Sequence, residues 1–66
     1  MRVTVNGTPR ECHEDVDVAA LVGELTPRRR GVAVAVNGEV VPRTGWAGTA
    51  LRDGDRVEVL TAAQGG

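Results

Sequence analysis

Ala62-Ala63-Gln64-Gly65-Gly66 closes this 66-residue chain, and a carboxylate carried on two consecutive glycines is the group here best suited to act as a reagent. Glycine has no Cβ, so Gly65 and Gly66 predict a thin, extended tail that can thread a narrow channel and place its last carbonyl beside a bound nucleotide. At average glycine usage, two given positions are both Gly in roughly 0.5% of chains, which favours function over accident. In this reading Gly66 carries the chemistry, and Gly65 and Gln64 are what a partner recognises as the tail.

Other reactive side chains are sparse. Cys12 beside His13 offers a thiol and a base, but neighbours on a strand point to opposite faces and cannot share a proton. Cys12 therefore reads as a buried structural cysteine. His13 has no second ligand at metal-binding spacing, so it reads as a solvent-facing strand residue, and neither a metal site nor a catalytic residue is assigned. Arg28-Arg29-Arg30 lie just beyond an expected helix, where basic residues complement the helix dipole. Asp53-Gly54-Asp55 is first a turn, and with Glu58 it is secondarily an acidic patch for a basic partner. Trp46 reads as a core plug.

The elements that position the tail follow from periodicity. Met1 to Asn6 alternates, with Val3 and Val5 on one face, and Asn6-Gly7 marks a tight hairpin returning through Thr8 to His13. Pro9 suits the start of that second strand. Asp17 stands as N-cap before Val18, Leu21, Val22 and Leu25, one stripe of an amphipathic helix that Thr26-Pro27 ends. Val32 to Val36 predicts a third strand, its Val-Ala alternation suggesting a covered face on each side. Asn37-Gly38 turns it into Glu39 to Pro42. Arg43 to Ala50 reads as an irregular crossing with a short 3₁₀ turn that sinks Trp46 and Leu51 into the core. Arg56 to Leu60 is the last strand. The result is an α+β, β-grasp (ubiquitin-like) fold: a mixed four- to five-stranded sheet with one main helix packed on one face, residues 1–66 forming a single domain with its Gly-Gly tail.

Composition removes several function classes. A body of this size buries only about 60% of its unfolded surface and has no room for a deep, enclosed active site. Trp46 is the sole aromatic residue, so stacking platforms for single-stranded nucleic acid are missing. Eight basic and nine acidic residues leave a net charge of −1, which provides no field to gather nucleic acid or anionic lipid. All the basic residues are Arg, so an activated terminus has no lysine of its own chain to react with. One cysteine, no signal-peptide core and no apolar run of spanning length predict a soluble, unexported, cytoplasmic protein.

The string Val36-Asn37-Gly38-Glu39-Val40-Val41-Pro42-Arg43, then Trp46, then Leu51-Arg52-Asp53-Gly54-Asp55, on a small β-grasp shape ending in Gly-Gly, closely resembles the ThiS family. The resemblance covers essentially the whole chain, including Val5-Asn6-Gly7 and Val18-Ala19-Ala20-Leu21. Gln64 departs from the small or apolar residue more usual in these tails. The resemblance implies a sulfur carrier for the thiazole ring of thiamin, a protein cosubstrate and not an enzyme, with no cofactor bound. It implies a ThiF-like adenylating enzyme that uses ATP and Mg²⁺ on the Gly66 carboxylate, a cysteine-desulfurase-type sulfur source, and a ThiG-like thiazole synthase that receives the Gly66 thiocarboxylate. An enzyme that reads the terminus must also grip the adjacent strand, which makes Val40, Val41 and Leu60 a partner surface. A carrier of the molybdopterin synthase small-subunit type, a ubiquitin-like protein modifier and a plain interaction module remain the alternatives.

Overall fold

The computed structural model describes residues 1–27 and 30–62. Five strands, one α-helix and one 3₁₀ helix run in the order β1 (Arg2–Val5), β2 (Thr8–Glu11), α1 (Val18–Leu25), β3 (Val32–Val36), β4 (Glu39–Val41), η1 (Arg43–Gly48) and β5 (Arg56–Thr61). Each hairpin depends on its Asn-Gly pair. Asn6 and Gly7 have φ of 50° and 85°, and Asn37 and Gly38 have φ of 52° and 87°. Two consecutive left-handed residues match the right-handed twist of the strands they join, and Asn is among the few side-chain-bearing residues that accept that conformation readily.

The sheet order is β2-β1-β5-β3-β4. The strand leading to the tail is therefore central, parallel to β1 through Thr4↔Arg56 and antiparallel to β3 from Val32↔Thr61 to Val36↔Val57. β2 is an edge strand, so the missing N–H of Pro9 breaks no interior ladder. It also ends at Glu11, before Cys12 and His13.

Helix α1 forms where its stripe and its caps coincide. The Asp17 Oδ1 accepts from the Ala20 N–H at 2.8 Å, and Thr26 leaves the helix with φ −153° and ψ 141°. Val18, Leu21 and Val22 are buried, against a sheet face built from Val3, Val5, Val34, Val57 and Val59. Trp46 and Leu51 close this core, at 8% and 3% exposure, as the irregular crossing predicts. No helix of the described residues is long and apolar enough to cross a membrane.

The expectation that both faces of β3 are covered does not hold. Val34 is 2% exposed against the helix side, whereas Ala33 is exposed and Ala35 half-buried on the other side. With a single α-helix to spend among the described residues, the sheet covers one face, and the small Ala side chains flatten the other.

Gly23 lies inside α1, where a Cβ would meet nothing within 4 Å. A mid-helix glycine costs about 0.5–1 kcal/mol relative to alanine. Gly23→Ala is therefore expected to stabilise the fold by roughly that amount, read as a higher urea midpoint at unchanged slope.

Candidate functional site at the end of the last strand

Gly66, Gly65 and Gln64 lie outside the described residues, as do Arg28 and Arg29 of the basic run. The described structure accounts for how the tail is launched. Asn6 is the first part of that account. Its backbone N–H donates to the Val57 carbonyl at 2.9 Å, its Nδ2 donates to the Val59 carbonyl at 3.0 Å, and its Oδ1 accepts from the Val59 N–H at 2.9 Å. The carboxamide thus continues the β1–β5 pairing for one more residue after the β1 backbone has turned away.

Asn37 does the same at the start of β5. Its Oδ1 accepts from the Arg56 N–H at 2.9 Å, and its backbone N–H donates to the Arg56 carbonyl at 2.7 Å. Its Nδ2 donates to Asp55 Oδ1 at 3.0 Å. Both turn asparagines therefore brace the strand that carries the tail. Asn6→Ala is expected to cost about 2 kcal/mol, since it strands two backbone groups of Val59 and places Ala at positive φ. Thermal unfolding checks this, and a change of less than about 0.5 kcal/mol would show that water replaces the carboxamide freely.

At its far end β5 is held by Gly31. The Ala62 N–H donates to the Gly31 carbonyl at 2.6 Å. Gly31 has φ 69°, and a Cβ there would stand 3.0 Å from the Ala62 Cβ. The left-handed φ favours glycine, a Cβ would crowd the Ala62 side chain, and the last described residue is pinned beside the start of β3.

The three residues expected to form a partner surface separate into two sets. Leu60 lies opposite Ala33, and Ala35 lies between Glu58 and Val40 across the neighbouring strands. Leu60, Ala33, Ala35 and Val40 accordingly share the open face, where Val40 is 76% and Leu60 68% exposed. Val41 pairs with Val34 on the helix side, is half-buried against the core, and accepts from the Trp46 Nε1–H at 2.9 Å. Strand alternation put Val40 and Val41 on opposite faces from the outset.

The acidic residues also divide. Asp53 Oδ1 accepts from the Arg2 N–H at 2.8 Å, and Asp55 Oδ2 accepts from the Arg52 N–H at 2.8 Å. Both serve the turn, while Glu58 is exposed on the open face beside Ala35. Cys12 is half-buried and packs on the core, its Sγ 3.9 Å from the Arg10 carbonyl, whereas His13 is exposed. Among the described residues no three His, Cys, Asp or Glu side chains gather as metal ligands.

Asn6, Asn37 and Gly31 were not singled out by sequence as functional supports. The signal present was an Asn before each hairpin Gly, which marks the turn and leaves open what the side chain holds.

The ThiS family model matches residues 3–66. Across its whole length the chain is 32% identical to the sulfur carrier protein ThiS of Escherichia coli, all of which is covered. It is also 39% identical over all its residues to a thiazole synthase of Paramagnetospirillum magneticum, spanning only 20% of that longer protein. The crystal structure of a thiamine biosynthesis protein (ThiS) from Geobacter metallireducens superposes with a TM-score of 0.83 at 38% identity, covering 100% of both chains. These likenesses agree with the β-grasp, ubiquitin-like architecture built above from the strands and helix.

Proposed function

The chain belongs to the ThiS family, and from this we infer that it is a sulfur carrier for thiazole formation in thiamin biosynthesis, with Gly66 as the residue that bears the sulfur. The observation that supports this most directly is the full-length likeness to a sulfur carrier, in which both chains are covered from end to end. The chemistry follows from the group available. A carboxylate is a poor electrophile, so an adenylating enzyme of the ThiF kind joins the Gly66 carboxylate to the AMP part of ATP, releasing pyrophosphate. Mg²⁺ held by that enzyme balances the phosphate charge. A persulfide supplied by a cysteine-desulfurase-type source then attacks the acyl carbon and AMP departs. Reductive cleavage of the resulting acyl disulfide by a thiol leaves the thiocarboxylate.

The Gly66 thiocarboxylate is a sulfur nucleophile, and a thiazole synthase of the ThiG kind is the acceptor. A carrier-like segment within a protein named as a thiazole synthase favours that partner. The barriers are lowered by groups on the partners, so this chain is a cosubstrate and not an enzyme. Its own contribution is a rigid strand that holds Ala62 in place and offers the residues beyond it.

Intact mass after incubation with ATP, Mg²⁺, the adenylating enzyme and a sulfur source tests this reading. The expected result is a gain equal to one oxygen exchanged for sulfur, and no gain with a competent enzyme would overturn it. Growth of a strain lacking the chain should return with thiamin or thiazole, and failure of both would direct the sulfur to another acceptor.

The open-face patch is the surface by which the enzyme taking the tail grips the last strand. Burying Leu60 fully is worth about 1.5–3 kcal/mol. Leu60→Asp is therefore expected to weaken enzyme binding by roughly 10-fold or more without loss of fold, measured by titration calorimetry beside a melting curve.

A further inference from the structure

Val41-Pro42-Arg43 and Trp46 have an unequal fate in the fold. The Val41 carbonyl accepts from Trp46, the Pro42 carbonyl accepts from the Gly45 N–H at 2.7 Å, and Trp46 is buried. The Arg43 side chain is exposed and, among the described residues, its guanidinium makes no hydrogen bond or ion pair. It borders an open hollow of ≈ 420 Å³ between α1 and η1. Ala19, Val22 and Gly23 form one wall and Trp46 and Ala47 the other, with Pro27 at the end of the helix. None of the described lining residues is acidic.

Gly23 adds an independent observation. Its φ is not positive and a Cβ would touch nothing, so neither turn geometry nor internal packing calls for glycine within a helix. What the missing side chain leaves open is the wall of this hollow. The location matters as well. Val41, just before Arg43, lies opposite Val34, while Val32 lies opposite Thr61 and Gly31 binds Ala62. The groove and the tail exit thus share one end of the molecule.

We propose that the groove between α1 and η1 is a second docking surface for the adenylating enzyme, on the side of the sheet opposite Leu60 and Val40, taking an apolar side chain of that enzyme against Trp46 and Gly23 and a neighbouring carboxylate on Arg43. The hollow is too open to enclose a small ligand, which favours a side chain delivered by a protein surface. An unpaired guanidinium with no acidic neighbour in the lining selects an acidic segment. The adenylating enzyme is the occupant because it is the first to receive the tail that leaves from the same end. The proposal rests on the carrier reading above.

ATP–pyrophosphate exchange by the adenylating enzyme, followed against the concentration of this chain, provides the test. Arg43→Glu is expected to raise the KM for the chain by about 10-fold or more, with kcat and melting temperature little changed, and Arg43→Lys to recover part of the loss. Gly23→Leu, a good helix former, is expected to raise KM while keeping or raising the melting temperature. Unchanged KM in Arg43→Glu and Gly23→Leu, with normal exchange by the wild-type chain, overturns the groove and leaves the carrier reading intact. Normal exchange with impaired sulfur transfer to the thiazole synthase also overturns the assignment to the adenylating enzyme. No exchange with the wild-type chain overturns the carrier reading and the groove with it.

Discussion

A chain ended at Gly65 is expected to fold as well as the full chain and to lose at least about 10²-fold in sulfur uptake. Folding should be untouched because, among the described residues, every buried one lies at or before Val59. Uptake should collapse because one residue of extended chain spans about 3.5 Å, and a misplacement of about 1 Å at a reacting centre already costs about 10²-fold. The shortened terminus still ends in a glycine carboxylate, so the loss reports reach and not the absence of a carboxylate. Intact mass with the adenylating enzyme, ATP and a sulfur source measures it, beside a melting curve for both chains. Equal uptake by the shortened chain would remove Gly66 from the mechanism. Cys12→Ala is the companion control, expected to keep full uptake because the thiol is half-buried on the core side. A protein modifier would instead leave adducts on target lysines, and an interaction module would be indifferent to the last residue.

Trp46→Ala is the substitution expected to cost most in stability, about 3–5 kcal/mol. Trp46 is 8% exposed and is the largest side chain of the core. Its loss leaves a cavity beneath η1 and removes the hydrogen bond to the Val41 carbonyl that ties this helix to β4. A domain of this length has a total stability of roughly 3–10 kcal/mol, so the variant should be largely unfolded or close to it. Urea unfolding followed by circular dichroism reads the change without the lost indole fluorescence. A cost below about 1 kcal/mol would mean that the 3₁₀ segment carries no weight in the core.

Much of this architecture was legible because local signals agreed with one another. Asp17 before the Val18, Leu21 and Val22 stripe, with Thr26-Pro27 after it, marks a helix at both ends, and the structure places its caps at Asp17 and Thr26. Two Asn-Gly pairs between alternating valines mark two hairpins, and both have the positive φ angles that such turns need. The covering of β3 was not legible, because Val-Ala alternation looks the same whether or not a second layer exists. Ala33 is exposed because no second α-helix among the described residues lies on it. The partner surface was half legible: exposure of Val40 and Leu60 follows from strand position, whereas Val41 belongs to the opposite face by the same alternation. The reach of the Asn6 carboxamide to Val59 joins residues 53 positions apart. No local pattern encodes such a contact, since it depends on β5 arriving alongside β1. Gly31 is similar, because the crowding a side chain would meet there comes from Ala62, a residue distant in sequence just beyond β5.

The central place of β5 in the sheet has a bearing on how the protein is made. Arg56–Thr61 follows every other described strand in the chain, yet it lies between β1 and β3 and joins the two hairpins to each other. Until it arrives, β1–β2 and β3–β4 are separate hairpins, each marginal by itself in water. Closing the sheet must therefore wait for contacts between the first and last parts of the chain, the non-local kind that form late. A translation product that stops before β5 cannot assemble the sheet and falls to proteolysis, so it never competes for the enzymes as an inert look-alike. Translation of β5 and acquisition of the sheet become nearly the same event.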